Sequence, residues 1–207
     1  MPEGTVFLVD DDSSVRKALT RLIKSTGYQV QSFASAREFL DTHVQTSDPA
    51  CVVLDVRMPG LTGLDLQSEL QKTNAILPII FITGHGDIPM SVKAMKAGAA
   101  DFLPKPVKDS QLLSSIEQAL ARAAQEGAES TEIADIQRRL ETLTPREREV
   151  MKLVVTGMLN KQIASELGTV EKTIKVHRAR VMEKMEVESL AELVRVAEKV
   201  GIPRKKE

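Results

Sequence analysis

The chain has 207 residues, of which 42% are hydrophobic and 28% charged, so it can bury a core and is neither disordered nor fibrous. Its net charge at pH 7 is −1, but residues 142–207 carry 14 Lys and Arg against 10 Asp and Glu, whereas residues 1–141 carry 14 against 19. This asymmetry favours two domains with different partners.

The apolar runs are too short to span a bilayer, and the first residues lack the pattern of a signal peptide. We therefore expect a cytoplasmic protein without a membrane partner, and its single Cys51 excludes an intrachain disulfide.

Short apolar strands alternate with amphipathic helices over the first 108 residues. The predicted strands cover residues 5–9, 29–33, 51–55, 78–83 and 101–104. The predicted helices cover residues 15–26, 35–40, 64–72 and 88–97, and Ser13 or Ser14 is expected to cap the first of them. This alternation predicts a five-stranded parallel sheet with helices on both faces, which is the doubly wound, flavodoxin-like class.

A stretch rich in Ala, Glu, Gln and Arg follows over residues 109–143 and contains one glycine, Gly127. It is either a long exposed helix, continuous or broken near Gly127, or a flexible linker. The spacing of Ile133, Ile136, Leu140 and Leu143 favours a helix for at least its second half. The predicted organisation is a first domain over residues 1–124, a helical linker over residues 125–141 and a second domain over residues 142–207.

The second domain is predicted to be all-α, with helices over residues 145–155, 161–167, 171–185 and 189–200. Thr144 and Glu147 have the spacing of a capping box at the first of these helices. The segment NKQIASELGTVEKTIKVHRARVMEKM reads as two helices joined by a tight turn at Gly168. This is the arrangement of a DNA-binding helix-turn-helix.

The second helix of this pair has two different faces. Ile174, Val181 and Met185 form an apolar face, with His177 beside them. The opposite face can meet phosphates and base edges, and the candidate DNA-binding residues on it are Lys172, Thr173, Lys175, Val176, Ala179 and Arg180. The alternative is a solvated charged face on an ordinary helical hairpin.

Polar side chains gather where the predicted strands end. They are Asp10, Asp11 and Asp12 after the first strand, Asp55 at the end of the third, Thr83 at the end of the fourth and Lys105 after the fifth. Ligands of open α/β sheets bind beyond these ends, and converging carboxylates need a counter-ion such as Mg2+, which prefers oxygen ligands. With an ammonium and a hydroxyl nearby, the carboxylates suit a phosphoryl group, for which Asp55 is the candidate nucleophile. Taken singly, the first three aspartates could form a solvated loop that caps the next helix, Lys105 could lie in a plain turn, and Thr83 could simply end a strand.

The segments LVDDD, VVLDVRMPGLTG, FITGHGD and AMKAGAADFLPKP resemble the receiver domain of two-component response regulators, over about residues 4–124. The resemblance implies that Asp55 accepts a phosphoryl group from a sensor histidine kinase. It also implies that Mg2+ is bound by Asp11, Asp55 and the backbone carbonyl of Arg57, while Asp10 supports the ion through water.

The same resemblance implies a switch. Thr83 and Lys105 would hold the phosphoryl oxygens, and the Lys105–Pro106 bond would be cis. Phe102 stands at the position of an aromatic switch residue and would turn inward as Thr83 moves, although an ordinary strand position suits it equally well. The surface from the helix at 88–97 to the helix that starts at Asp109 would then favour pairing of two receivers.

The second half, from LTPREREV to the end of the predicted hairpin, resembles the LuxR-type output domain of the FixJ and NarL kind, over about residues 142–203. The resemblance implies promoter binding by a homodimer that forms on phosphorylation, with RNA polymerase as a further partner. His177 would brace the hairpin. The last helix would dimerise on DNA through Leu190, Leu193, Val194 and Ala197, and the alternative is a helix that packs only on its own domain.

These features together predict a phosphorylation-dependent transcription regulator, which catalyses only its own phosphoryl transfer and slow dephosphorylation and is otherwise not an enzyme. A phosphohydrolase of the haloacid-dehalogenase kind is a rival, but it needs a second aspartate two residues after the nucleophile, where this chain has Arg57. A phosphate-relay module whose second half binds protein is another rival. A salt-dependent shift with promoter DNA would separate it from a DNA-binding regulator.

Overall fold

The computed structural model describes residues 4–42, 48–72, 77–84 and 88–202. The chain divides into two compact units, Met1–Ala128 and Glu129–Glu207. The first unit contains five strands, β1 (Thr5–Val9), β2 (Gln29–Phe33), β3 (Ala50–Asp55), β4 (Ile79–Thr83) and β5 (Asp101–Pro104). They form one sheet in the order β2-β1-β3-β4-β5, and all neighbouring strands are parallel. The predicted doubly wound, flavodoxin-like sheet is therefore confirmed.

The register of the strands brings their last residues together. Val9 at the end of β1 lies opposite Leu54 of β3, so the residue that follows Val9 lies level with Asp55. Thr83 at the end of β4 lies opposite Pro104, which directly precedes Lys105. A parallel sheet with these pairings places the polar residues of four segments at one edge.

Four helices cover the faces of this sheet, α1 (Ser13–Ser25), α2 (Ala36–Asp41), α3 (Gly63–Lys72) and α4 (Ile88–Lys96). The prediction that Ser13 or Ser14 caps α1 is wrong, because the Asp12 carboxylate accepts hydrogen bonds from the amides of Ser14 at 2.7 Å and Val15 at 3.3 Å. An ionised carboxylate satisfies the free amides and also interacts favourably with the helix dipole. The helix consequently begins two residues earlier than predicted.

The next helix, α5 (Asp109–Glu141), is continuous over 33 residues and runs through Gly127 without a break. Its first half contributes Leu112, Ile116 and Leu120 to the core on one face of the sheet. Its second half contributes Ile136 to the core of the second unit. The boundary between the compact units, at Ala128, lies inside this helix.

The second unit continues with α6 (Pro145–Val155), α7 (Asn160–Glu166), α8 (Glu171–Lys184) and α9 (Leu190–Lys199). The predicted capping box is confirmed, since the Thr144 amide donates to Glu147 Oε2 at 3.0 Å and the Glu147 amide donates to Thr144 Oγ1 at 3.3 Å. Gly168, with a φ of +62°, lies between α7 and α8. Within the described ranges, no helix is both long and apolar enough to cross a membrane.

Candidate functional site

The ammonium of Lys105 joins the ends of two strands. Lys105 Nζ lies 2.7 Å from Asp10 Oδ2 and 2.6 Å from Asp55 Oδ2. Asp10 is fully buried and Asp55 is 7% exposed, so both carboxylates have left most of their water. A cation between them offsets their desolvation and their mutual repulsion.

The carboxylate oxygens of Asp10, Asp11 and Asp55 form an acidic cluster, since one oxygen of each lies within 4.8 Å of the others. Asp11 is exposed, unlike the other two. The Arg57 amide donates to Asp55 Oδ1 at 3.1 Å, and the Asp12 amide donates to Asp10 Oδ1 at 2.9 Å. Each buried carboxylate is therefore oriented by a backbone amide as well as by Lys105.

The surroundings shift the pKa values of Asp10 and Lys105. Burial raises the pKa of Asp10 above its usual value, although the hydrogen bond from Lys105 opposes that rise. Burial alone would lower the pKa of Lys105, but the hydrogen bonds to Asp10 and Asp55 outweigh it and raise that pKa. Lys105 is therefore a permanent positive charge at this edge of the sheet.

Two of the predicted switch residues, Thr83 and Phe102, lie on the neighbouring strands β4 and β5. Thr83 is 1% exposed at the end of β4, and its carbonyl accepts a hydrogen bond from the Lys105 amide at 2.7 Å. The Lys105–Pro106 bond is cis, as the resemblance implied. Phe102 is half-buried on β5, with its ring centroid 6.1 Å from that of Phe81.

Two residues that position the site are not evident from the sequence alone. Arg16 on α1 donates from Nη1 to the carbonyls of Asp10 at 2.7 Å and Asp11 at 2.9 Å, and so holds the loop that carries both aspartates. Gly63 opens α3 directly against β3, and an added Cβ would lie 2.4 Å from the carbonyl oxygen of Asp55. Gly63 is part of the motif VVLDVRMPGLTG, but its spacing alone does not reveal a backbone contact.

All six predicted DNA-binding residues lie on α8. Thr173 is half-buried, and the other five, Lys172, Lys175, Val176, Ala179 and Arg180, are exposed. Lys175 pairs with Glu171 one turn earlier at 3.2 Å. His177 is half-buried, and its Nδ1 has no hydrogen-bond partner among the described residues. This face of α8 is therefore basic and mostly exposed.

The predicted dimerisation residues on α9 must be corrected in part. Leu193 and Ala197 are fully buried in the core of their own unit, so they cannot present a surface to a second chain. Val194 is half-buried and packs against the same core, whereas Leu190 is exposed. The apolar stripe of α9 serves mainly the fold of its own unit.

Comparisons with known proteins assign both halves of the chain. The family model described as response regulator receiver domain matches residues 6–117, and the one described as bacterial regulatory proteins, luxR family, matches residues 141–197. Nodulation protein W of Bradyrhizobium diazoefficiens is 51% identical over 200 residues, which cover 97% of this chain and 88% of that protein. The transcriptional regulatory protein FixJ of Azorhizobium caulinodans is 44% identical over 203 residues, which cover 98% and 96%. The solved structure of the response regulator StyR has a TM-score of 0.86 at 47% identity and covers 96% of this chain and 100% of that chain.

The two family matches answer the question of function at the level of the whole chain. A receiver followed by a DNA-binding output domain makes the chain a phosphorylation-dependent transcription regulator, whose partners are a histidine kinase and DNA. It belongs to the response regulators of two-component systems, with a receiver domain followed by a LuxR-type DNA-binding domain.

Proposed function

We propose that Asp55 is the phosphoryl acceptor of this regulator. The observation that supports this proposal best is the convergence of Asp55, Asp10 and Lys105 at one edge of the sheet, with Asp55 directly at the end of β3. In the transfer, a carboxylate oxygen of Asp55 forms a bond to phosphorus while the P–N bond of a phosphohistidine on the kinase breaks, and the imidazole leaves.

The residues around Asp55 take defined parts in this transfer. Lys105 exchanges its contact with the Asp55 carboxylate for contacts with the phosphoryl oxygens, whose charge it offsets. The Thr83 hydroxyl donates to another of these oxygens. The Arg57 amide, which donates to Asp55 Oδ1, keeps the carboxylate oriented. The receiver thereby catalyses its own phosphorylation and its slow dephosphorylation.

The acidic cluster fits Mg2+ by its charge and its donor atoms. Three carboxylates face one ammonium, so two negative charges remain, and all the ligands are oxygens. We assign the direct ligands to Asp11, Asp55 and the Arg57 carbonyl, with Asp10 acting through water. When bound, the ion supplies the positive charge that the phosphoryl oxygens need in the transition state.

The acceptor is tested by incubating the chain with acetyl phosphate and Mg2+ and measuring its intact mass. The wild-type chain is expected to gain one phosphoryl group, and Asp55→Asn is expected to gain none. Asp65→Asn, which removes an exposed carboxylate of α3, is the matched control and should react like the wild type. A chelator should prevent the reaction, and full labelling of Asp55→Asn would exclude this acceptor.

We further propose that phosphorylation favours a homodimer that binds promoter DNA through α8 and there meets RNA polymerase. Support comes from α4, where Ile88, Val92 and Met95 are large exposed apolar residues at spacings of four and three. Such a stripe suits pairing of two receivers. Phe102 on β5 would turn inward as Thr83 moves, and so change the surface next to α4. On this proposal the receiver extends over residues 1–124 and the output domain over residues 142–207, joined by residues 125–141.

Sedimentation with and without beryllofluoride, a phosphoryl mimic, tests this coupling. The wild-type chain is expected to change from monomer to dimer, and Val92→Glu, which places a charge in the apolar stripe, is expected to remain monomeric. Lys96→Glu, at the end of the same helix, is the control for a change of charge. A monomer under all conditions, with unchanged operator affinity, would contradict the mechanism.

A further inference from the structure

The C-terminal end of α8 departs from the usual chemistry of helix termination. Helices often end with a glycine in the left-handed conformation, because a side chain in that conformation costs free energy. Here Met185 is the C-cap residue, and Glu186, which follows it, has a φ of +54°. Among the described residues, Glu186 is the only one other than glycine with a positive φ. A glutamate at this position is therefore expected to have a compensating contact.

That contact comes from the last turn of α5. Arg139 Nη2 lies 3.1 Å from Glu186 Oε2, and Arg139 Nη1 donates to the carbonyl oxygen of Met185 at 3.3 Å. The same guanidinium thus binds the side chain of the left-handed residue and a carbonyl at the helix terminus, where a cation also complements the helix dipole. An exposed ion pair alone contributes little, but this one is combined with the capping of a helix.

A second set of contacts joins Lys184, the last residue of α8, to the chain that follows α5. Lys184 Nζ donates to the carbonyl oxygen of Thr142 at 3.0 Å and to Glu147 Oε2 at 2.7 Å. Ile136 of α5 is buried in the same core as Ile174 of α8. The last turns of α5 therefore share a core with α8, and Arg139 binds the C-terminal end of α8.

We propose that Arg139 is a positioning residue for DNA binding, which fixes the C-terminal end of α8 and with it the DNA-reading face. The proposal rests on the DNA-binding function of α8. Arg139 lies before residues 141–197, which match the luxR family, so the DNA-reading unit of this chain includes part of α5. A disturbance of α5 would then reach the DNA-reading helix through the Arg139–Glu186 contact.

The variant Glu186→Gln tests this proposal by the sign of its effect. Electrostatics alone predicts tighter DNA binding, because the substitution removes a negative charge from a unit that meets phosphates. Loss of the contact to Arg139 predicts weaker binding instead, by roughly three- to tenfold. The matched control is Glu183→Gln, which removes an exposed carboxylate from the same end of α8 and should bind as tightly as the wild type or tighter.

A second variant, Glu186→Gly, separates positioning from stability. Glycine adopts a positive φ without penalty, so the melting temperature is expected to stay unchanged or rise, while DNA binding weakens as it does in Glu186→Gln. A purely structural role would move stability and binding in the same direction. The double variant Arg139→Ala/Glu186→Gln should bind no more weakly than the weaker of its single variants, because both substitutions act on the Arg139–Glu186 contact and only Arg139→Ala also removes the bond to the Met185 carbonyl.

The probe is a fluorescent duplex that the full-length wild-type chain enriches from a random-sequence pool. If the wild-type chain binds the duplex and Glu186→Gln binds it as tightly or more tightly, this proposal is overturned but the DNA-binding function stands. If the wild-type chain enriches no duplex, the DNA-binding function is overturned as well. Amide exchange gives a readout without DNA. The amides of Glu186 and Val187, which donate to Glu183 and Met182, should exchange faster in Arg139→Ala, and unchanged exchange would overturn the proposal.

Discussion

At the scale of single residues, the acceptor site depends on how closely two pieces of backbone approach. The Gly63 amide donates to the Val56 carbonyl at 3.0 Å, and a Cβ at position 63 would overlap the carbonyl oxygen of Asp55. Gly63, the first residue of α3, therefore fixes the position of Asp55 at the end of β3. Any side chain there must move either the helix or the aspartate.

We expect Gly63→Ala to destabilise the receiver by about 1–3 kcal/mol, because overpacking against backbone cannot be relieved by a side-chain rotation. It should also slow phosphorylation by acetyl phosphate, since Asp55 would shift relative to Lys105. Gly127→Ala is the control, because outside the helix's own backbone nothing lies within 4 Å of an added Cβ there, and alanine favours the helix by about 0.5–1 kcal/mol. Denaturant unfolding of both variants measures the two effects, and equal stabilisation would refute the contact.

The sequence predicted the chemistry of the acceptor residues but not their support. Asp10, Asp55 and Lys105 could be placed together, because strand ends in a parallel sheet share one edge. Arg16 could not be found, since its contacts are to backbone carbonyls and any basic residue one turn into α1 has the same pattern. The cap of α1 was misplaced because Asp12, Ser13 and Ser14 are all common caps, and only the geometry chooses among them.

At the scale of elements, α5 and α9 show what helical periodicity can and cannot predict. The spacing of Ile133, Ile136 and Leu140 indicated a helix, and α5 is continuous there. The stripe on α9 indicated an apolar face, but periodicity does not say what covers such a face. Leu193 and Ala197 are covered by their own unit, because the helix has to complete a small core before it can offer a surface to a partner.

The first turn of α6 makes the stability of the second unit depend on pH. The hydrogen bond from Lys184, supported by the Thr144 amide, lowers the pKa of Glu147 from 4.5 to about 2. Because the pKa is lower in the folded chain, the ionised glutamate stabilises the fold above its unfolded pKa. That contribution is lost as the pH falls from about 4.5 to about 2.

Glu147→Gln is expected to destabilise the second unit at pH 7 by about 1–3 kcal/mol, because it weakens the bond to Lys184 and the capping box. As the pH falls from about 4.5 toward 2 the difference from the wild type should shrink, since the glutamate of the unfolded chain becomes protonated first and the folded one only near its pKa of about 2. Amide exchange within α6 and α8 measures this in the full chain. Glu149→Gln, which removes an exposed carboxylate of α6, is the control, and a difference that does not depend on pH would argue against the ion pair.

At the scale of the whole molecule, a near-neutral chain has to bind a polyanion. Its net charge is −1, so the attraction to DNA depends on where the basic residues lie rather than on their number. Lys172, Lys175 and Arg180 share the exposed face of α8. The alternation of strands and helices predicted the first unit well. Between the two halves the sequence predicts only a linker over residues 125–141, because a continuous helix has no proline, glycine cluster or change of period that would mark a single position.

Lys175→Ala is expected to weaken operator binding by about 1–3 kcal/mol if Lys175 contacts a base, and to do so mainly for the preferred sequence. If Lys175 contacts a phosphate, binding should fall evenly across sequences, and the slope of log K against log salt should decrease by about 1 for each bound module. Lys152→Ala, on the exposed side of α6, is the control. Titrations at several salt concentrations distinguish these cases, and an unchanged affinity and slope would place the reading face elsewhere.

The continuity of α5 bears on how such regulators can be recombined. An output unit grafted onto a foreign receiver at residue 141, where the luxR match begins, would inherit another protein's equivalents of Ile136 and Arg139. A junction next to Ala128 would instead keep each core with its native side chains. Chimeras joined next to Ala128 should therefore fold and respond better than chimeras joined at residue 141, so the unit of exchange is not the unit of sequence similarity.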